Sequence, residues 1–185
     1  MGISAKLTYE PGGTTLGDEV RLLLKQRRQD IVSPEAEVFL FAACRVNLIT
    51  EVIQPDLRAG KVVICDRFAD STRVYQGYGR GIDLTAINTI HKLATQGVKP
   101  DLTVLLDISP EEGLSRKRAK AKDRFEQEDL AFHNRVRAGY LELAQNEPER
   151  WLVIDATLPK IEISKIIWTK VSYMLSRRQD IPEHG

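Results

Sequence analysis

The chain has 185 residues, of which 42% are hydrophobic and 29% charged, the composition of an ordinary soluble domain with a real core. Twenty-seven basic and 26 acidic residues leave a net charge of +1, which excludes a globally polyanion-binding surface. Two cysteines without a CxxC pair and three histidines without metal spacing exclude a disulfide scaffold and a zinc cluster, and no run approaches the ~18 apolar residues of a membrane span. The N-terminal residues MGISAKLTYE lack the apolar region of a signal peptide, so reduced thiols and a cytoplasmic location are expected.

Ile3, Ala5 and Leu7 alternate with polar residues, a strand pattern, and Glu10-Pro11-Gly12-Gly13-Thr14 turns the chain. Leu16, Val20, Leu23 and Leu24 predict a first amphipathic helix. Ser33-Pro34 is a helix start, with Glu35 and Glu37 at the positive end of the dipole. That helix is predicted to run to about Ile53, Pro55 lying beyond it, with Phe39, Ala42, Val46, Ile49 and Ile53 inward. Phe41 and Arg45 sit one turn apart on a neighbouring face.

Lys61–Cys65 is the next strand and runs straight into Asp66-Arg67. A short polar segment with Ser71, Thr72, Tyr75 and Gln76 and a Gly-Tyr-Gly-Arg-Gly turn follow. Asp83 caps a helix over Leu84–Gln96, with Leu84, Ile87, Ile90, Leu93 and Ala94 inward. Leu102–Leu106 is a strand ending at Asp107. Ser109-Pro110 starts another helix, and Arg116–Arg124 carries six positive charges in nine residues. A helix opens at Phe125 or Glu126 and runs to about Asn146. Trp151–Ile154 is a strand ending at Asp155, and Ile161–Arg177 is a last helix.

Short apolar strands alternating with helices predict an α/β fold: a three-layer, mostly parallel sheet with helices on both faces. One domain is expected over residues 1–178, with a flexible tail at 179–185. Each strand delivers a carboxylate at its carboxyl end: Glu10, Asp66, Asp107 and Asp155. Four acids at one sheet edge suit a cation such as Mg²⁺ with phosphates. A strand ending in Asp is also the Walker-B arrangement, and Arg67 beside Asp66 can fork onto a phosphate. Against these stand blander readings: a turn Asp, a core Phe41, a solvated Arg45. The basic run reads as a solvated helix face, as a lid over phosphates, or as a nucleic-acid contact. The last is disfavoured by the absence of interleaved aromatics.

The motifs EPGGT (Glu10–Thr14), LFAACR (Leu40–Arg45), DRFADSTRVYQGYGRGID (Asp66–Asp83), PDLTVLLD (Pro100–Asp107), PEEGLSRKR (Pro110–Arg118), DRFEQED (Asp123–Asp129) and IDAT (Ile154–Thr157) occur in one order from residue 3 to about 175. In these the chain resembles the thymidylate kinases, P-loop nucleoside monophosphate kinases that phosphorylate dTMP to dTDP with ATP in dTTP synthesis. The resemblance implies roles. Phe41 stacks on thymine and Arg45 donates to its edge. Thr72 and Gln76 complete base recognition, and Tyr75 lies beneath the deoxyribose. Arg67 holds the dTMP phosphate, and Asp66 organises Mg²⁺. Arg118, Lys120 and Arg124 belong to a lid, about residues 115–125, that closes over the ATP phosphates and carries the catalytic charge. Asp155, Ala156 and Thr157 lie beside the adenine. A homodimer through the Ser33–Ile53 helix is expected, with no nucleic-acid or membrane partner.

The sequence departs from the family at three points. Tyr9 stands where an Arg commonly precedes EPGG, which puts a loop- or phosphate-stabilising contact in question. Lys120 stands where a lid Arg is usual. GxxxxGK[ST], with the strand before it, is not found in the 185 residues. A sheet without that central strand is expected to show a gap and two unpaired edges. Two functional readings therefore stand: a dTMP kinase, and a non-catalytic relative that binds dTMP. The polypeptide as written is expected to have little or no activity.

Overall fold

The computed structural model describes residues 2–25, 32–116 and 123–179. Strand and helix alternate as the pattern predicts. The elements are β1 (Ala5–Tyr9), α1 (Thr15–Lys25), α2 (Pro34–Leu48), α3 (Gln54–Arg58), β2 (Val62–Asp66), α4 (Ala69–Thr72), α5 (Leu84–Ala94), β3 (Thr103–Asp107), α6 (Pro110–Ser115), α7 (Leu130–Asn146), β4 (Trp151–Asp155) and α8 (Lys160–Gln179). No helix among the described residues is long and apolar enough to cross a membrane.

Both strand pairings are parallel. β1 pairs with β2 from Ala5 opposite Val62 to Tyr9 opposite Asp66, and β3 pairs with β4 from Thr103 opposite Trp151 to Asp107 opposite Asp155. Among the described residues the two pairs are not hydrogen-bonded to each other, so the sheet is two separate halves. The expected gap is present. Leu7, Ile64, Leu106 and Val153 are exposed on the strands, although parallel strands ordinarily bury both faces.

Helix packing joins the halves. α4 continues without a break into a π segment, Arg73–Gly79. The stretch read from sequence as a polar segment and turn is therefore helical. Its Val74 is buried with Phe132, Val136, Leu143 and Ala144 of α7 and with Trp151 of β4. Each such side chain contributes roughly 1.5–3 kcal/mol relative to exposure. The crossing is close: a Cβ on Gly79 would lie 2.6 Å from Phe132 Cε2. A second core gathers Leu48, Ile49, Ile53 and Phe68.

Helix starts follow local chemistry. Ser33 Oγ accepts from Ala36 N at 3.2 Å, Asp83 Oδ2 from Ala86 N at 3.0 Å, and Ser109 Oγ from Glu112 N at 3.3 Å. Other expectations need correction. α2 does not stop near Ile53 but passes through a π segment, Ile49–Ile53, in which Gln54 N–H reaches back to the Ile49 carbonyl. The wider turn resets the ladder, so Pro55 falls in the first turn of α3, where its missing N–H is tolerated. Phe125–Gln127 forms its own 3₁₀ turn, because Asp129 Oδ1 accepts from Phe132 N at 2.6 Å and starts α7 at Leu130. Phe39 and Leu93, expected inward, are exposed. The face that α2 buries instead includes Glu37 and Arg45. Apolar periodicity cannot foresee this, because long-range ion pairing draws those two charges inside.

Candidate functional site

β2 delivers Asp66 and Arg67 to the carboxyl edge of its half-sheet. Arg67 has φ 68°, a left-handed conformation uncommon for a residue with a side chain and often kept at functional sites. Its guanidinium lies 4.9 Å from the Tyr75 ring centroid, and its Nη2 donates to Tyr75 Oη at 3.2 Å. Tyr75 meets Phe125, Phe132 and Tyr140 at centroid distances of 6.0, 6.1 and 6.4 Å, and Phe125 lies 6.1 Å from Phe41. Helix α2, the π segment and the 3₁₀ turn thus bring Phe41, Tyr75 and Arg67 into one region, Phe41 reaching Tyr75 through Phe125. They add Phe125 and Tyr140, which the sequence did not single out.

Behind the rings lies a buried polar cluster. Arg45 is 0% exposed. Its Nε donates to Glu10 Oε2 at 3.0 Å, its Nη2 also bonds Glu10 Oε1, and the same Nη2 donates to Thr72 Oγ1 at 2.8 Å. Among the described residues its buried Nη1 has no hydrogen-bond partner. Burial pushes the Glu10 carboxyl above its ordinary value, with Arg45 opposing the rise. Gln76, 1% exposed, donates from Nε2 to Glu37 Oε2 at 2.9 Å, and its buried Oε1 likewise has no partner among the described residues. One orphan donor and one orphan acceptor are therefore held by buried carboxylates. Unpaired buried groups of this kind cost about 1–3 kcal/mol each unless a ligand satisfies them.

The four strand-end acids do not converge on one cation. Glu10 is engaged by Arg45. Asp107 takes a fork from Arg137, 2.7 Å at both oxygens, and that hydrogen bonding holds its carboxyl below the usual range. Asp155 accepts from Thr157 N at 2.8 Å, which also lowers it. Among the described residues no group of three His, Cys, Asp or Glu is placed to hold a metal. Of the four acids, Asp66 alone is exposed and has its side chain in no ion pair or hydrogen bond among the described residues.

Arg118 and Lys120 lie outside the described residues. On one side of them, Arg116 Nη1 donates to Ala156 O at 2.9 Å, beside Asp155 and Thr157. On the other, Arg124 Nη2 lies 2.7 Å from Glu37 Oε1, and its Nε donates to Leu24 O at 3.3 Å. Tyr9, the departure before EPGG, is integrated: its hydroxyl donates to Asp18 at 2.9 Å, and Arg21 stacks 5.0 Å from its ring while donating to Pro11 O at 2.8 Å. Glu37 was read from sequence only as a dipole-compensating acid. The signal that could have found it is spacing: Glu37, Phe41 and Arg45 are each one turn apart on α2.

Parallel strands with helices on both sides, carrying an Asp-Arg strand end beside stacked rings, place the chain among the nucleoside monophosphate kinases. Comparison with known proteins narrows the class. The thymidylate kinase family profile matches residues 1–167. A thymidylate kinase of Dehalococcoides mccartyi strain CBDB1 is 45% identical over 180 residues, covering 97% of this chain and 86% of the relative. One from Thermomicrobium roseum is 44% identical over 183 residues, covering 98% and 86%. The crystal structure of thymidylate kinase from Ehrlichia chaffeensis superposes with a TM-score of 0.72 at 33% identity, over 92% of this chain and 81% of that one. The chain belongs to the thymidylate kinase family.

Proposed function

We propose that the chain binds dTMP at the Arg67–Tyr75–Phe41 site and phosphorylates it to dTDP with ATP, in the supply of dTTP. The observation that carries this reading is the pair of orphan atoms. Arg45 Nη1 is a donor and Gln76 Oε1 an acceptor, both buried and without a hydrogen-bond partner among the described residues. The imide edge of thymine supplies the complement, O4 as acceptor and N3–H as donor. Thr72 contributes through Arg45, whose Nη2 it receives. Phe41 offers the stacking face, Tyr75 supports the sugar, and exposed Arg67 takes the phosphate.

A dTMP phosphate oxygen attacks the γ-phosphorus in line, the bond from that phosphorus to the β,γ-bridging oxygen breaks, and ADP departs. Positioning and charge supply nearly all of the acceleration. Asp66, an exposed carboxylate whose side chain is in no ion pair or hydrogen bond among the described residues, would hold Mg²⁺, and the ion would supply positive charge toward the phosphates. Arg118, Lys120 and Arg124 supply the lid's positive charge, and Asp155–Thr157 border the adenine.

The test is dTMP binding by calorimetry, followed by dTDP formation with Mg²⁺ and ATP. Arg45→Ala and Gln76→Ala are each expected to weaken dTMP binding by about tenfold or more. A wild-type chain with no affinity for dTMP at millimolar concentration would overturn the reading. A second reading is a chain that binds dTMP without turning it over. Binding without dTDP formation would select it.

A further inference from the structure

Glu37 sits on the inner face of α2, 1% exposed. Oε2 accepts from Gln76 Nε2 at 2.9 Å. Arg80 reaches the same carboxylate, with Nη2 3.3 Å from Oε1 and Nε 3.5 Å from Oε2. Arg124 Nη2 lies 2.7 Å from Oε1. The two guanidiniums offset the buried charge, so the carboxylate tolerates its position without taking all its partners from the base site.

The chemistry of this contact is one-sided. A side-chain amide can present either its oxygen or its nitrogen to a partner, and the two arrangements differ only by a flip. A carboxylate has acceptors and no donor. Facing Glu37, Gln76 must turn its NH₂ inward, which leaves Oε1 as the atom offered to a ligand. That atom is the buried, unpartnered one.

We propose that Glu37 is a specificity-positioning residue: by locking the Gln76 amide with its oxygen outward, it selects pyrimidines with an imide edge and rejects cytosine. The inference rests on the dTMP reading above. Thymine and uracil present N3–H, a donor that satisfies Gln76 Oε1. Cytosine presents N3 as an acceptor, which sets one lone pair against another, and its N4 amino group faces the Arg45 donor. With a flipped Gln76 the penalty at N3 disappears, and Glu37 is what prevents the flip. The carboxylate touches no substrate atom and acts through Gln76.

The test uses the full chain and three nucleotides, dTMP, dUMP and dCMP, with affinities measured by calorimetry for wild type, Glu37→Gln, Gln76→Ala and the double variant. A Gln at position 37 can donate as well as accept, so the Gln76 amide is free to turn. The dTMP-over-dCMP preference is expected to fall about tenfold in Glu37→Gln, while dTMP over dUMP is unchanged because both bases share the imide edge. In the Gln76→Ala background, Glu37→Gln is expected to add nothing to the loss of selectivity. Circular dichroism checks the fold, and Glu37→Met, which also lacks a carboxylate, replaces Glu37→Gln if that variant does not fold. An unchanged dTMP-over-dCMP ratio overturns the proposal. So does an equal fall in both ratios, which is what a merely structural role produces. A wild type that binds none of the three nucleotides overturns the dTMP reading and this proposal with it. Wild-type binding with an unaltered variant ratio overturns the proposal alone.

Discussion

Arg150 and Asp70 clamp the two half-sheets together. Arg150 Nη1 lies 2.6 Å from Asp70 Oδ2, and Nη2 lies 3.0 Å from Oδ1. Asp70 belongs to α4, directly after β2, and Arg150 immediately precedes β4. The same Nη1 donates to Thr103 Oγ1 at the start of β3 at 2.7 Å. Both partners are largely buried, at 9% and 13% side-chain exposure. Removing Arg150 leaves Asp70 without its counter-ion, so Arg150→Ala is expected to cost about 3–5 kcal/mol; Asp70→Ala is expected to cost less, because Arg150 keeps Glu147, 3.0 Å from its Nε. Urea denaturation of both variants checks this, and a midpoint within error of wild type would mean that helix packing alone holds the halves.

The Glu10–Arg45 pair separates stability from recognition. Glu10→Gln leaves the Arg45 charge buried without its counter-ion, at a cost of about 3 kcal/mol or more in denaturant unfolding. Replacing both residues by Met removes both desolvation penalties at similar volume. The double variant is expected to recover most of the lost stability and to bind dTMP poorly, because the Nη1 donor has gone with the ion pair. A double variant no more stable than Glu10→Gln would show that the pair is a net stabiliser.

His91 imposes a pH dependence. It is buried, with Nε2 in no hydrogen bond among the described residues. Burial first, then the charges of Arg45 and Arg73, push it from 6.5 to about 3. The unfolded chain takes up a proton below pH 6.5, and the folded chain does so only near 3. The stabilisation is therefore present above pH 6.5 and is lost as pH falls toward 3. His91→Leu is expected to flatten the stability curve between pH 7 and 4, read from urea midpoints. The same slope in both proteins would remove His91 as its cause.

The two thiols are expected to be inert in the folded protein. Burial raises Cys44 to about 11 and Cys65 to about 12, with Glu10 adding to both. Thiolate is scarce at pH 8, so iodoacetamide should label neither at an appreciable rate until the chain is unfolded. Rapid labelling of the native chain at pH 8 would contradict the raised thiols of buried Cys44 and half-buried Cys65.

Local pattern carried much of the fold. Ser33, Asp83 and Ser109 announce their helices through hydrogen bonds that span three residues, and the apolar runs before Asp66, Asp107 and Asp155 announce strands. Pro55 misled, because a helix boundary read from one residue ignores a π turn that resets the ladder upstream. The geometry of the candidate site was legible in part: Asp66-Arg67 stands at a strand end, and Phe41 and Arg45 sit one turn apart on α2.

Pairings across long stretches of chain were beyond reach of pattern. Glu10 and Asp107 looked alike as strand-end acids, yet one is buried on Arg45, 35 residues away, and the other is forked by Arg137, 30 residues away. Glu37 looked like a helix-dipole acid, and its link to Gln76 spans 39 residues. Helix starts, strands and the motif residues follow from short-range hydrogen bonding and hydrophobic period, which each segment satisfies by itself. Which carboxylate meets which guanidinium, and which amide atom is left for a ligand, depends on desolvation and geometry that exist only once distant segments have packed.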